Sequence, residues 1–327
     1  MIVLGIESSC DETSVALVKD GRKILANVVA SSLKIHSRHG GVIPEIASRL
    51  QLESIGEVFS EAVKLAKIKK EQIDLVAATS GPGLPGSLLV GMSFAKALAL
   101  SLDKPFLGVN HIHSHIYANL LCHQDIRLPC VALVVSGGHT TLFHIKDFTK
   151  IKILGQTLDD ACGEAFDKVA RIMGMGYHGG PLIEKIARNA DKHKIKFACG
   201  GNNAGLDFSF SGIKTAVLYY LKNKKSSVKL KADLAASFQD SVIKVLVKKS
   251  LLACKRYRIN NFLLGGGVVA NGHLRQQFSE GTKNNWINCF FPSISLCMDN
   301  AAMVAGLAGY LYKRGARSSL NLNIEFN

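Results

Sequence analysis

Three histidines fall within five residues in the stretch GVNHIHSHIYAN: His111, His113 and His115. Side chains four apart on a helix share a face, so His111 and His115 can reach one ion while His113 points elsewhere. Taken alone, an H-x-x-x-H pair is more often two hydrogen-bonded or exposed imidazoles than a metal site. A third ligand, ideally a carboxylate at the start of another helix, would change that balance. Asp299 in SISLCMDNAAMVAGLAGYLY is the candidate, standing just before an Ala-rich apolar helix. A carboxylate there commonly caps the first helical turn and needs no metal to do so. If that helix returns to the histidines, two imidazoles and a carboxylate with open positions suit iron or zinc.

A second kind of chemistry is suggested by three small-residue turns that follow apolar runs: SSCDETS, SGGHT and GGGVVAN. Such turns expose backbone N–H groups, and glycine lets a phosphate come close to the chain. One glycine turn is uninformative, but three in equivalent positions suggest a bound nucleotide. Neither a G-x-x-x-x-G-K-[ST] loop nor a strand-linked G-x-G-x-x-G is present, which disfavours P-loop and dinucleotide sites. The loop GPGLPGSLLVG can bind an anion at the helix it precedes, with Ser87 as cap, or can be a rigid structural turn.

The elements that position these residues recur. IVLGIESSCDETSVALVKDG and CVALVVSGGHTTLFHIKD both read as strand, polar turn, strand. Downstream of each comes amphipathic helix, strand, Gly-rich loop and helix, in IGEVFSEAVKLAKIKKEQIDLVAATSGPGLPGSLLVGMSFAKAL and again in AASFQDSVIKVLVKKSLLACKRYRINNFLLGGGVVANGHLRQQF. The order predicts α/β layers and a duplicated fold of two similar halves with a cleft between them. A boundary near residue 110 divides residues 1–110 from 111–299, with the last helix, about 300–327, crossing back to the first half. PFLGV reads as a strand and Asn110 as the N-cap of the histidine helix.

Composition narrows the classes. The 327 residues are 47% hydrophobic, and no apolar run approaches the ~20 residues of a membrane span. No signal peptide is visible, and the eight cysteines include no C-x-x-C pair, which predicts reduced thiols in the cytoplasm. The formal net charge of +15 favours a polyanionic partner. Basic residues cluster in EKIARNADKHKIK, in YYLKNKKSSVKLK (Lys222, Lys224 and Lys225) and in KVLVKKSLLACKRYR (Lys248, Lys249 and Arg256). With one Trp and few aromatics, a folded RNA gripped through its backbone fits better than an unstructured strand.

At GIESSCDETSVAL, GGVIPEIASR, GPGLPGSLLVG, NHIHSH, VSGGHT, DDACGEAFDKVARIMG, GGP, LDFSFSGIKTAV, GGGVVAN and MDNAAM the chain resembles, in order, the signature blocks of the TsaD family. These are tRNA N6-adenosine threonylcarbamoyltransferases, formerly described as O-sialoglycoprotein endopeptidases, and the resemblance spans roughly residues 1 to 310. It implies the duplicated actin-like, sugar-kinase-like ATPase fold. It also implies transfer of a threonylcarbamoyl group from threonylcarbamoyl-adenylate to N6 of the adenosine 3′ to the anticodon, in tRNAs reading codons that begin with adenine, with release of AMP. One divalent metal, iron or alternatively zinc, is expected on His111, His115 and Asp299. The adenylate is expected beside Val135, Ser136, Gly137, Gly138 and His139, with Asp167, Gly180, Glu184 and Asn271 in the same pocket. Companion proteins of the TsaB and TsaE type complete the implied partners.

An exocyclic adenine amine is a poor nucleophile, so positioning and a base matter. Asp11 and Glu12 on the first turn, and His139, are the candidates. Two rivals remain at this stage. A metallopeptidase of the H-E-x-x-H kind needs a glutamate where this chain has Ile112. An actin-fold ATP-binding or ATPase module rests on fold alone and leaves the histidine pair idle.

Overall fold

Residues 1–199, 205–222, 224 and 227–325 are described by the computed structural model of the chain. They form two compact units, Met1–Asp125 with Met298–Asn327, and Ile126–Cys297.

In the first unit the apolar run of the N-terminus becomes β1 (Ile2–Glu7), antiparallel to β2 (Glu12–Lys19) with Ile2 opposite Lys19 and Glu7 opposite Ser14. The pair is more than a hairpin. β3 (Lys23–Ser31) extends it to a meander. Its weakly alternating KILANVVAS leaves it half-buried, which is why it escapes a periodicity reading. Helices α1 (Leu33–His39) and α2 (Pro44–Ala66) follow. The wholly buried β4 (Leu75–Gly81) then joins the other side of β1 in parallel, and α3 (Pro85–Ser101) leads to β5 (Phe106–Asn110), parallel to β4. The sheet order is β3-β2-β1-β4-β5. Leu4, Ile6, Val15, Leu17, Ile55, Phe59, Val76 and Met92 form the core beneath the α2–α3 layer. Helix α4 (His111–Cys122) starts directly from β5.

The second unit repeats the plan. β6 (Cys130–Val135), β7 (Thr140–Asp147) and β8 (Lys150–Gln156) make the meander. Helices α5 (Cys162–Ile172), α6 (Gly179–Ala187), α7 (Ser211–Leu221) and α8 (Val228–Tyr257) precede β9 (Asn261–Gly265). α9 (Gly272–Lys283) then leads to β10 (Asn288–Phe290), and both β9 and β10 run parallel to β6. The order β10-β9-β6-β7-β8 is that of the first sheet, strand for strand. Val131, Leu133, Phe166, Phe238, Phe262 and Leu264 belong to its core. Gly266 is required where GGGVVAN leaves β9: its φ is +94°, and a Cβ there would overlap the backbone of Val135.

The chain ends back in the first unit with α10 (Ala301–Lys313), whose residues Ala301–Gly309 are all buried. Small residues permit this. A Cβ at Gly5 would overlap the backbone of Ala301 and Ala305, so glycine lets α10 lie on β1. Two of the orphan N–H groups at the start of α10 find side-chain acceptors, Ala301 on Ser14 Oγ at 2.9 Å and Ala302 on Asn27 Oδ1 at 3.3 Å. Because α4 packs against α10, the unit runs on to Asp125, past the boundary expected near residue 110.

Candidate metal centre and nucleotide loop

Asn110 ends β5 and accepts the backbone N–H of His113 at 3.0 Å, which starts α4 at His111. One turn later comes His115, and the two imidazoles lie with ring centroids 4.7 Å apart and planes at 79°. Asp299 is not the cap of α10. That place belongs to Asn300, whose side chain accepts from the N–H of Met303, so the Asp299 carboxylate is spared for the histidines. Its Oδ1 lies 3.1 Å from His115 Nε2 and 3.6 Å from His111 Nε2. The ligand atoms of His111, His115 and Asp299 all fall within 4.8 Å of one another, with both histidines buried and Asp299 partly so. Two imidazole nitrogens and a carboxylate oxygen at this spacing fit a single divalent ion with open coordination positions.

Behind His111 stands Glu7, which the sequence reading missed. It is fully buried at the end of β1 and faces His111 Nδ1 at 2.9 Å. It also accepts from the Ser9 N–H at 2.6 Å and the Thr79 hydroxyl at 2.7 Å. A carboxylate on the far nitrogen of a ligating histidine fixes the ring and its tautomer, leaving Nε2 for the metal. Burial alone would disfavour a charged imidazole, but Glu7 and Asp299 outweigh it and raise His111 to about 9. Burial likewise opposes ionisation of Glu7, and His111 overcomes it, holding the carboxyl below its ordinary value. The signal in the sequence was a lone charge closing an otherwise apolar strand.

Ser8–Asp11, the turn between β1 and β2, and Glu12 at the start of β2 stand next to this group. Ser9 Oγ sits 3.1 Å from His111 Nδ1. Gln51, buried on α2, donates its amide to the carbonyls of Ser8, Cys10 and Glu12 at 3.3, 2.9 and 3.1 Å. Ser87, expected to cap α3, lies inside that helix and donates to the Cys10 carbonyl at 3.1 Å instead. Leu84 N–H reaches the Ser9 carbonyl at 2.7 Å, so GPGLPG serves as a rigid support for the turn. Of the two candidate bases here, Glu12 is pushed up to about 10 by burial, by the charges of Asp299 and Asp11 and by the hydrogen bond its protonated form gives to Asp11. A carboxyl in that state keeps its proton at neutral pH and offers a donor rather than a base. A cation beside Asp299 would relieve part of that shift. Among the described residues His113 belongs to no ligand group, and burial lowers its basicity.

The residues implied for the adenylate all lie in the second unit. Val135 ends β6, and Ser136–His139 form the turn into β7, closed by the Ser136 N–H on the His139 carbonyl at 2.8 Å. A Cβ at Gly137 or Gly138 would meet nothing within 4 Å, so open space stands beside both. Gly163 N–H donates to the Ser136 carbonyl at 3.1 Å, setting the start of α5 against the turn. Later on α5, Asp167 accepts from Gly179 N–H at 2.6 Å, and burial raises its carboxyl. The next residue, Gly180, again opens onto free space. Glu184 accepts from Gly272 N–H at 2.8 Å beside Asn271, which caps α9 and donates to Gln239 at 2.8 Å. Glu184, Gln239 and Gly272 share a cavity of about 410 Å³.

Known proteins match this chain along nearly its whole length. The family model for TsaD, tRNA N6-adenosine threonylcarbamoyltransferase, matches residues 23–306. A Clostridium kluyveri protein of that name is 51% identical over 327 residues, covering 98% of this chain and 95% of its own. A Thermosipho africanus protein of the same name is 49% identical over 324 residues, covering 98% of each chain. Among solved structures, HypF of T. kodakarensis superposes with a TM-score of 0.65 at 15% identity, over 98% of this chain and 49% of that one. The last likeness speaks for the fold alone.

Proposed function

This chain belongs to the TsaD family of tRNA N6-adenosine threonylcarbamoyltransferases, and we propose on that premise that it makes its product from threonylcarbamoyl-adenylate. The acceptor is N6 of the adenosine 3′ to the anticodon, in tRNAs reading codons that begin with adenine. N6 forms a bond to the carbamoyl carbon, the bond from that carbon to the phosphate oxygen breaks, AMP leaves, and one proton departs from the amine. The observation that carries this reading is the buried His111–His115–Asp299 group with Glu7 behind it.

His111, His115 and Asp299 would hold one divalent ion, iron before zinc. Such an ion supplies Lewis-acid polarisation of a carbonyl, or a fixed point for the threonine carboxylate. The chain's own residues do the rest. Glu7 and Ser9 orient His111; Gln51, Ser87 and Leu84 fix the turn that bears Asp11 and Glu12. The open backbone at Gly137 and Gly138 leaves room for the phosphate, with Asp167, Gly180, Glu184 and Asn271 on the nucleoside side. Asp11, Glu12 and His139 are the candidates to take the N6 proton.

Companion proteins of the TsaB and TsaE type, and a cytoplasmic setting, complete the proposal. No helix among the described residues is long and apolar enough to cross a membrane, and the eight cysteines are unpaired. Neither rival gains support. Ile112, where a zincin has its glutamate, is a buried apolar residue, and an ATPase gives the histidine–carboxylate group no task.

The test is mass spectrometry of nucleosides from tRNA incubated with the chain, its companions, threonine, bicarbonate and ATP. Threonylcarbamoyl-adenosine should appear, and should fail to appear when metal is stripped. Unmodified adenosine under all conditions would reject the reading.

A further inference from the structure

Apart from Glu184, the stretch EKIARNADKHKIK has no task in the chemistry above. In the structure its second half is a loop pinned to one face of α8. Asp233 accepts the Asp191 N–H at 3.2 Å. Ser237, four residues on, accepts the Ile195 N–H at 3.2 Å and donates to the Asp191 carbonyl at 3.4 Å. Asp240, three further, takes Lys192 at 3.7 Å, Lys244 at 2.6 Å and His273 at 3.1 Å. All three α8 side chains are buried, Ser237 completely. Polar groups at spacings of four and three on a long helix normally face solvent. Here they are turned inward to hold a basic loop in one shape.

Asp240 draws its cations together but does not neutralise them. Along the same stretch Arg188, His193, Lys194 and Lys196 stand exposed, and no carboxylate among the described residues pairs with these four. Two adjoining cavities, of about 410 and 430 Å³, share Lys192. The first also takes in Glu184, Gln239 and Gly272, beside the residues placed next to the nucleoside. Apart from Asp191, whose carboxylate accepts the His193 N–H at 2.8 Å, the exposed charges of this loop are positive, and such a ridge beside a pocket for an adenylate suits successive phosphates of a nucleic-acid backbone.

We propose that the ridge formed by Arg188, Lys192, Lys194, Lys196 and Lys244, set by Asp233, Ser237 and Asp240, grips the phosphate backbone of the tRNA. The inference rests on the transferase reading. Of the three basic clusters in the sequence it selects the first, with Lys244 of α8, over the other two. Lys249 of the KKSLLACKR cluster is buried, donating to the Gly205 carbonyl at 3.0 Å, and Lys225 lies outside the described residues.

The experiment measures binding of unmodified tRNA to the full chain by fluorescence anisotropy across a salt series. The variant is Arg188→Glu/Lys194→Glu/Lys196→Glu, whose three side chains are exposed. Affinity should fall at least tenfold near 0.1 M salt, and the slope of log K against log salt should flatten by about one for each phosphate that the variant no longer neutralises. Metal content should stay at the wild-type value, and so should AMP affinity in the variant Lys194→Glu/Lys196→Glu, which leaves untouched the cavity that Arg188 shares with Glu184. The neutral variant Lys194→Ala/Lys196→Ala should shift binding in the same direction by less, which guards against a folding artefact. Wild-type affinity and slope in the triple variant would overturn the ridge while leaving the transferase reading intact. A wild-type chain with no affinity for tRNA would also overturn the ridge, whereas the transferase reading falls only if tRNA stays unmodified with the companions present.

Discussion

At the scale of single residues the metal group decides most. His111→Ala or Asp299→Ala removes one of three ligands, and a two-ligand site should lose its ion and most transferase activity with the fold retained. His113→Ala should keep both. Plasma mass spectrometry of the purified variants checks this, and wild-type stoichiometry in either ligand variant would refute the assignment. Glu7 gives a subtler test. Glu7→Gln keeps the shape but offers His111 Nδ1 a neutral partner, and loss of such a partner typically weakens metal affinity by about 10- to 100-fold. Titration against a chelator should show that loss; unchanged affinity would make Glu7 merely a fully buried acid.

Elements carry the next two predictions. The turn between β6 and β7 has open space at Gly138, so Gly138→Val leaves the protein unstrained while its branched side chain fills the place of the phosphate. Calorimetry should show AMP binding abolished in a protein that melts as wild type does, and undiminished AMP affinity would displace the nucleotide from this turn. The start of α7 depends on Asp159. Its carboxylate accepts from Ser209 Oγ at 2.5 Å, Ser211 Oγ at 2.7 Å and the N–H of Phe210 at 2.7 Å. Burial opposes ionisation, yet these bonds outweigh it and hold the carboxyl below its ordinary value. A depressed folded value means stability that is present above the unfolded value, about 4, and lost as pH falls through the folded one. The stability gap between wild type and Asp159→Asn should therefore be constant near neutrality and close below about pH 4 in thermal melts. A gap that persisted into strong acid would show that the ionised carboxylate is not what holds the segment.

For the molecule as a whole, charge and repetition matter more than any one side chain. Both units use one plan, a three-strand meander joined in parallel by two further strands, and each spends its first turn differently. Ser8–Glu12 faces the metal group, whereas Ser136–His139 leaves open space beside Gly137 and Gly138. A chain built this way for acyl transfer should show only background peptidase activity with or without iron or zinc. It should also release no phosphate from ATP in the absence of its companions and tRNA. Brisk ATP hydrolysis by the isolated chain would restore the ATPase rival.

Much is legible in the residues alone. The period-2 runs, the repeated order of helix, strand and glycine turn, and the +15 charge all follow from residue type and spacing, because local propensity and burial act along the chain. His111 and His115 share a face by helical geometry alone, and Asn110 announces their helix. Spacing could nominate Asp299 as the third ligand but could not bring it to the histidines. Asp299 lies 184 residues from His115. Only the close fit of α10 on β1 at Gly5, with Asn300 taking over the cap, brings its carboxylate to the imidazoles. Glu7 behind His111, Gln51 beneath the first turn and the inward polar face of α8 were hidden for the same reason. Each is an ordinary polar residue whose partner is set by how elements pack, and packing between distant segments leaves no period in the sequence.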